Sequence, residues 1–295
     1  MIPQSVASTA AKIAEIAEKT RRRYIPPYWC LGVLLMLVLF SAGCSVTVPH
    51  PAPDVPQHEL SPAQMDRILA RAYQYESMQA LAQVRFRRGK ERQSSTQALH
   101  IQAPSLLRAE VYNFMGRMVA LLVADGAWME AYVPSRDALY RGLATRARME
   151  RFAYVPLMPA DMVALLLQRL PPGVMQLAEV EKGAGNSLIF TLAAQEDYVV
   201  CFTPAGVESI AYRQLGHEVF RLDYLDAKPT HVVTDGVTHA DGMATFPRTM
   251  ILSMHEQNLR LELKLEDLQL NPAIDPELFL LEPRSGTAVI PLEEI

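Results

Sequence analysis

The sequence predicts a mainly β domain with two helices, an open antiparallel half-barrel of about 11 strands around an apolar hollow. Segments in which apolar and polar residues alternate recur from residue 80 to residue 270. Their connections are too short for parallel crossovers, so neighbouring strands are expected to be antiparallel. In residues 259–266 leucines alternate with charged residues, which gives one dry and one solvated face. Two helices cannot cover a large sheet of this kind, so it should curl around its dry face. Composition leaves open whether side chains fill the hollow.

The N-terminal segment is typical of an export signal. Three arginines at 21–23 precede an apolar run at 28–40, and the small residues 41–43 lie directly before Cys44. This resembles a bacterial lipobox with Ser in the place of the usual Leu. We predict that residues 1–43 are a lipoprotein signal peptide and that Cys44 carries the lipid, including palmitate. The alternative is an uncleaved membrane anchor, for which the run falls short of the ~18–20 residues of a spanning helix.

The charge balance argues against a nucleic-acid partner. The chain has 28 basic and 32 acidic side chains, a net charge of −4. Removal of residues 1–43 takes away more basic than acidic side chains, so the remaining domain is more acidic still. Such a domain lacks the basic surface that phosphate backbones require.

A proline-rich segment separates the signal from the folded domain. Residues 44–59 show no periodic pattern and are predicted to be a lipidated tether, whereas residues 60–295 are predicted to form a single domain. The domain begins with a helix, because Ser61 and Pro62 are a typical N-cap and N1 pair. Its apolar stripe consists of Met65, Ile68, Leu69, Ala72 and Tyr73.

Strand-like segments lie on both sides of a second predicted helix. That helix spans 156–173, with Pro159 near its start and a Pro-Pro-Gly end. Strands are predicted before it at 80–89, 97–102, 107–113, 118–126, 128–134 and 138–142. After it they are predicted at 174–180, 187–194, 197–203, 207–215, 217–226, 245–256 and 259–270.

The sequence carries none of the common catalytic motifs. It has no phosphate-binding loop, no G-x-S-x-G elbow and no H-E-x-x-H. Cys201 lies in a strand-like segment and is expected to be a small core residue. His231 and His239 flank a predicted loop with a spacing that does not fit a zinc site. We therefore expect no enzymatic activity, no cofactor and no metal.

Three segments, 107–133, 156–173 and 246–270, resemble the LolA/LolB superfamily of lipoprotein carriers. With a lipid anchor the chain is most similar to LolB-like receptors of the outer membrane. The resemblance implies that the helices form a lid over an apolar cavity that takes acyl chains. It runs from about Ser61 to Leu270, so that residues from about 271 onward are a C-terminal extension. Similar tails occur in uncharacterised LolA-like lipoproteins.

One turn is similar to a functional turn of that family. LolB-like proteins have an Asn-Pro-Leu-Gly-type turn whose exposed Leu helps to deliver cargo into the membrane. Here the turn consists of Asn113, Phe114, Met115 and Gly116, with Met115 in the place of the Leu and Phe114 in the place of the Pro. Two large apolar residues at a hairpin tip have no core to enter, so exposure to lipid or to a partner is expected. The alternative is a turn that folds back onto the sheet.

The predicted function is that of a lipid-anchored, periplasm-facing bacterial protein that binds acyl chains or lipidated proteins. It would pass lipoproteins from a soluble LolA-like carrier into the outer membrane. In the family an Asp after the lipidated Cys signals retention in the inner membrane, and Ser45 therefore favours the outer one. The predicted cavity-lining residues are Val84, Phe86, Leu107, Val111, Val119, Leu121, Met162, Leu165, Leu166, Leu261 and Leu263.

The alternative function is that of a structural scaffold lipoprotein with a filled core that docks onto an envelope complex. A hydrolase on the same fold is a weaker alternative, for which the sequence offers no candidate triad.

Overall fold

A single sheet of 14 strands organises residues 59–153, 155–193, 195–234, 237–282 and 285–292, which are the residues that the computed structural model describes. The strands are β1 (Ser77–Arg88), β2 (Glu91–Gln102), β3 (Leu106–Tyr112), β4 (Met118–Ala124), β5 (Trp128–Val133), β6 (Ala138–Leu143), β7 (Glu179–Lys182), β8 (Ser187–Leu192), β9 (Glu196–Thr203), β10 (Gly206–Gln214), β11 (His217–Thr234), β12 (Val237–Met254), β13 (Leu259–Leu270) and β14 (Ala288–Pro291).

Two antiparallel meanders meet edge to edge in this sheet. The strand order is β14-β6-β5-β4-β3-β2-β1-β13-β12-β11-β10-β9-β8-β7. The meanders β1–β6 and β7–β13 join through the antiparallel pair β1–β13, in which Val84 lies opposite Leu263. The predicted up-and-down order is thus confirmed, and the sheet is open. Two pairings depart from it: β14 runs parallel to β6, and β11 runs parallel to β13 over two residue pairs.

The sheet has more strands than the 11 or so predicted from the sequence. The edge strand β14 lies in no predicted strand, because its four residues are too few for an alternating pattern to show. The predicted strand at 174–180 divides into one helical turn followed by β7.

The described residues form four α-helices instead of the two predicted. They are α1 (Pro62–Ala72), α2 (Arg146–Ala153), α3 (Pro159–Leu166) and α4 (Val174–Leu177), and single 3-10 turns occur at Pro134–Arg136 and Pro276–Phe279. Helix α2 is rich in charged residues and α4 is a single turn, so neither has the apolar stripe that marks a helix in a sequence.

Helix α1 begins and packs as the sequence predicts. The Gln64 side-chain oxygen accepts a hydrogen bond from the Ser61 backbone N–H at 2.9 Å, and the Ser61 carbonyl accepts from the N–H of Met65. Met65, Leu69 and Ala72 are buried, and the helix contacts β8 and β10. The apolar stripe therefore covers one part of the inner face, by which we mean the sheet face that carries Leu261 and Leu263.

Helix α3 is shorter than the predicted helix at 156–173. It ends at Leu166, and Gln168 has a left-handed backbone with φ of 60°. The next residue, Arg169, is buried, and its guanidinium donates to the carbonyls of Ala72, Tyr73 and Tyr75 and to the Glu76 carboxylate. These bonds tie the end of α3 to the connection between α1 and β1. Helix propensity predicted a longer helix, because the partners that hold Arg169 outside the helix lie far away in the sequence.

The C-terminal segment lies on the outer face of the sheet, opposite the inner face. Phe279 is buried there in a small cluster with Leu121 and Val123. The Arg108 guanidinium donates to the Leu278 carbonyl at 2.8 Å, and β14 then pairs with β6. The extension predicted from about residue 271 is thus packed onto the first meander. Residues 58–295, which include the extension, form a compact unit in themselves.

Candidate functional site

The inner face holds an open hollow of about 450 Å³. Strands β13, β1, β2, β3, β4 and β5 contribute to its lining, and helix α3 adds Met162 and Leu166. Alternate residues of β13, β1 and β5 face it, as the period of a strand requires. The apolar lining residues, apart from those predicted, are Leu99, Ala109, Ala120, Leu122, Ala131 and Val133.

The structure brings all of the predicted lining residues except Leu165 to this hollow. Those that border it are Val84, Phe86, Leu107, Val111, Val119, Leu121, Met162, Leu166, Leu261 and Leu263. Leu165 is buried elsewhere in the core, where its carbonyl accepts a hydrogen bond from the Tyr224 hydroxyl at 2.7 Å. A role in binding acyl chains stays a prediction for the residues that do border the hollow.

The face predicted for β4 is shifted by one residue. Ala120 and Leu122 lie opposite inner-face residues of β3, and cross-strand partners share a face. Leu121 borders the hollow with part of its surface, but its side chain belongs to the outer-face cluster around Phe279. Val119 lies beside a bulge in the β3–β4 pair and is 41% exposed. Because β4 is apolar on both faces, its alternation could not show which residues face inward.

One end of the hollow is polar, which the sequence analysis missed. Gln93, Ser95 and Gln97 of β2 line it, together with Tyr112 and Asn113 at the end of β3. Ser95 lies opposite Val84, so Gln93, Ser95 and Gln97 belong to the same face as the apolar lining. The usual signal for an inner face is apolar alternation, and here the inward positions of β2 are themselves polar.

The β3–β4 turn projects from the sheet next to this polar end. Phe114 is 97% exposed and Met115 is 60% exposed. The Asn113 side-chain oxygen accepts hydrogen bonds from the N–H groups of Met115 and Arg117, at 2.9 and 3.1 Å. Gly116 has a left-handed backbone with φ of 71°. The turn therefore holds two apolar side chains outward and does not fold back onto the sheet, while Asn113 itself borders the hollow.

Three alternate residues of β3, Arg108, Glu110 and Tyr112, interact with one another on the outer face. Arg108 contacts the Glu110 carboxylate at 2.7 Å, and the Tyr112 hydroxyl donates to the same carboxylate. Burial by itself would raise the pKa of Glu110, but the hydrogen bonds from Tyr112 and Arg108 outweigh it, and the pKa lies below its usual value. The bond to Glu110 raises the pKa of the Tyr112 hydroxyl. Burial lowers the pKa of the neighbouring His100.

The second meander packs its inner face tightly. Tyr198 and Tyr212 have ring centroids 5.0 Å apart, and Phe220 continues the stack at 5.6 Å from Tyr212. Side chains thus fill the inner face over β9–β11, whereas the face over β13 and β1–β5 is open.

The described residues offer neither a membrane-spanning helix nor a metal site. None of the helices among them has the length and apolar character to cross a membrane. They contain no cluster of His, Cys, Asp and Glu side chains that could hold a metal. His231 lies on β11, and Cys201 is a half-buried free cysteine on β9. Cys44 and the predicted signal peptide lie outside the described residues.

No family model and no curated protein matches the chain. Among solved structures, it resembles a domain described as an outer membrane lipoprotein-sorting protein from Vibrio parahaemolyticus. The two are 12% identical, the match covers 74% of this chain and 94% of that one, and the TM-score is 0.50. The chain shares the fold of this lipoprotein-sorting domain. The mainly β architecture with one large open sheet, which the sequence predicted, is confirmed.

Two further structures match the same share of the chain. A DUF1329 family protein from Desulfovibrio piger is 13% identical, with 96% of that protein covered and a TM-score of 0.49. A LolA superfamily protein from Nitrosomonas europaea is 12% identical, with 97% of that protein covered and a TM-score of 0.47.

Proposed function

We propose that this chain binds an acyl chain of a lipid or of a lipidated protein in the hollow and passes it into the outer membrane from the periplasmic side. The observation that supports this most directly is an open hollow with an apolar lining from six strands and α3, bordered by the exposed Phe114–Met115 turn. The lipoprotein-sorting fold of the Vibrio domain is consistent with such a cargo. The proposed activity is transfer without a chemical step.

The size and lining of the hollow suit a single acyl chain. Its volume of about 450 Å³ lies within the range of roughly 300–1,000 Å³ that small-molecule sites occupy. Each buried methylene contributes about 0.8 kcal/mol, so eight of them would supply about 6 kcal/mol. Burial of the chain against the apolar inner residues of β13 and β1 would therefore be sufficient for reversible binding.

The distribution of polar residues gives the bound chain a direction. Gln93, Ser95 and Gln97 can offer hydrogen bonds to an ester or amide group, whereas the lining around Leu99 and Leu107 is apolar. We therefore place the polar end of the ligand at the β2 wall, beside the exposed turn. Helix α3 would act as the lid, because Met162 and Leu166 border the hollow from outside the sheet.

The anchor and the donor of the cargo complete the proposal. A lipid on Cys44 and a proline-rich tether would hold the domain at the outer membrane. A soluble LolA-like carrier would supply the cargo. In this arrangement the exposed turn, with Phe114 and Met115, would meet the membrane when the cargo leaves.

A scaffold lipoprotein is the second candidate, supported by the packed inner face over β9–β11. The two candidates differ in one respect that can be measured. A carrier takes up an acyl probe through the hollow, whereas a scaffold with a filled interior does not.

A filling substitution in the hollow tests the proposal. Ala109 borders the hollow and is 7% exposed, so Ala109→Phe would occupy the space that the acyl chain needs. We expect residues 58–295 to bind a dansyl-labelled fatty acid with increased fluorescence, and the Ala109→Phe variant to bind it at least tenfold more weakly. Fluorescence titration gives both dissociation constants.

The matched control is Ala98→Phe on the adjacent strand. Ala98 lies opposite Glu110, on the outer face, and is half-buried. This variant should bind the probe as the unaltered domain does. Binding that Ala109→Phe leaves unchanged, or an unaltered domain that takes up no probe, would favour the scaffold.

A further inference from the structure

Three arginines form a row across adjacent strands at the end of the sheet where β1 meets β2. In the register of the sheet, Arg87 lies opposite Arg92 of β2 on one side and opposite Arg260 of β13 on the other. All three side chains are exposed. Cross-strand partners have their Cβ atoms about 5 Å apart, and like charges at that distance repel each other. We call these three residues the arginine row.

The arginine row has no close ion-pair partner among the described acidic side chains, although the Asp223 carboxylate interacts electrostatically with Arg260 at longer range. None of the described acidic side chains forms an ion pair with Arg87, Arg92 or Arg260. Glu262 borders the same pocket, but its carboxylate contacts Arg85 at 3.3 Å. Exposed like charges on neighbouring strands repel one another, and an anion from outside the chain would relieve that repulsion.

The arginine row borders an open pocket that adjoins the hollow. The pocket measures about 440 Å³ and is lined by the three arginines together with Arg85, Glu262, Phe86, Gln93 and Ser94. The last three also line the hollow. The row lies on the outer face and Phe86 on the inner one, as successive residues of a strand must. The β1–β2 turn is joined here to the turn after β12, where the Gly89 N–H donates to the Asn258 carbonyl at 3.0 Å.

We propose that the arginine row binds the phosphate groups of anionic phospholipids and so docks this end of the sheet on a membrane surface. Guanidinium groups match phosphate oxygens with paired hydrogen bonds, and several cations close together bind a negatively charged bilayer more strongly than one does. The apolar turn with Phe114 and Met115 borders the same hollow, so one end of the molecule offers both the cationic and the apolar contact that a membrane surface accepts. This docking does not depend on which ligand the hollow takes.

Arginine modification on vesicles tests the docking with the full chain. The protein is reconstituted into vesicles of phosphatidylcholine alone, or of phosphatidylcholine with phosphatidylglycerol, and treated with phenylglyoxal. Mass spectrometry then gives the modification rate of each arginine. We expect Arg87, Arg92 and Arg260 to react several-fold more slowly on the anionic vesicles. The exposed Arg67 and Arg71 of α1 are internal controls and should react equally on both.

Protection should weaken as salt is raised, since exposed charges are screened over a Debye length of about 10 Å at 0.1 M. The double variant Arg87→Gln/Arg260→Gln should remove the protection of Arg92, with the fold checked by circular dichroism.

Equal rates for the row on both vesicles would overturn the proposal. So would equal protection on neutral vesicles after addition of inorganic phosphate, because the site would then bind a free anion and not a membrane. An Ala109→Phe variant that loses the acyl probe should still show full protection, which separates a failure of the hollow from a failure of the arginine row.

Discussion

Polar side chains on the outer face of β3 bind the C-terminal segment to the sheet. Arg108 contacts the Glu110 carboxylate and also donates to the Leu278 carbonyl. The Arg108 and Glu110 side chains are only 14% and 20% exposed, so solvent screens their contact less than that of a surface pair. Glu110 thus orients the Arg108 guanidinium, which in turn binds the backbone just before Phe279. The sequence showed two charges in an alternating strand and gave no sign of the distant carbonyl.

Replacement of Glu110 by Gln should destabilise the domain in a pH-dependent way. Because the pKa of Glu110 in the folded state lies below its usual value of 4.5, the ionised carboxylate stabilises the fold above about that pH. This contribution is lost as the pH falls through the folded pKa. We expect Glu110→Gln to lower the free energy of unfolding by about 1–2 kcal/mol at pH 7, and by progressively less as the pH falls below 4.5.

Urea unfolding of residues 58–295 at pH 7 and at successively lower pH measures this difference. Glu208→Gln is a suitable control, because Glu208 is exposed on β10. It should change the free energy of unfolding little at any of these pH values. A Glu110→Gln effect that stays constant across the pH range would contradict the assigned role.

At the scale of elements, the β3–β4 hairpin combines two functions in one turn. Its first residue, Asn113, borders the hollow and caps the turn, while Phe114 and Met115 extend into solvent. The resemblance to LolB-like turns predicted the exposure of Met115. It could not predict that the turn lies beside the polar end of the hollow, because that depends on how β2 and β3 pair.

Met115→Glu should impair the release of cargo into membranes. A carboxylate at this position opposes insertion of the turn into lipid, since a charge in the apolar region costs several kcal/mol. In an assay that follows transfer of a lipoprotein from a soluble carrier to vesicles, we expect a several-fold lower rate of release with unchanged uptake.

Leu215→Glu is the matched control for this substitution. Leu215 is an apolar residue with 66% exposure in the β10–β11 turn, and it does not border the hollow. The control variant should release cargo at the rate of the unaltered protein. If Met115→Glu also released cargo normally, the turn would have no part in delivery.

At the scale of the whole molecule, the pair β1–β13 creates the hollow. This pair joins the two meanders through residues that are far apart in the sequence, such as Phe86 and Leu261. The joined meanders share one apolar inner face, which helix α1 and the aromatic stack cover over β8–β11 and which is open over β13 and β1–β5. Long-range pairings of this kind carry no local sequence signal.

A lipid on Cys44, as predicted, would anchor the whole domain to a membrane. If residues 1–43 are a lipoprotein signal peptide, cells grown with radioactive palmitate should incorporate the label into the protein. A Cys44→Ser substitution should abolish the incorporation, whereas Cys201→Ser in β9 should leave it unchanged. Label that persists in Cys44→Ser would exclude Cys44 as the site of acylation.

The sequence by itself determined the class of the fold, the start of α1, the leucine face of β13 and the turn at Asn113. These features are local, because they rest on strand and helix periods or on the few residues of a cap or a turn. Only the tertiary structure decided the inward face of β4, the end of α3 at Leu166, the polar wall of the hollow and the arginine row. Each of these depends on partners from distant parts of the chain, and β4 reads as apolar on both faces because the C-terminal segment covers its outer side. Periodicity records whether a residue is buried, and pairing decides what it faces.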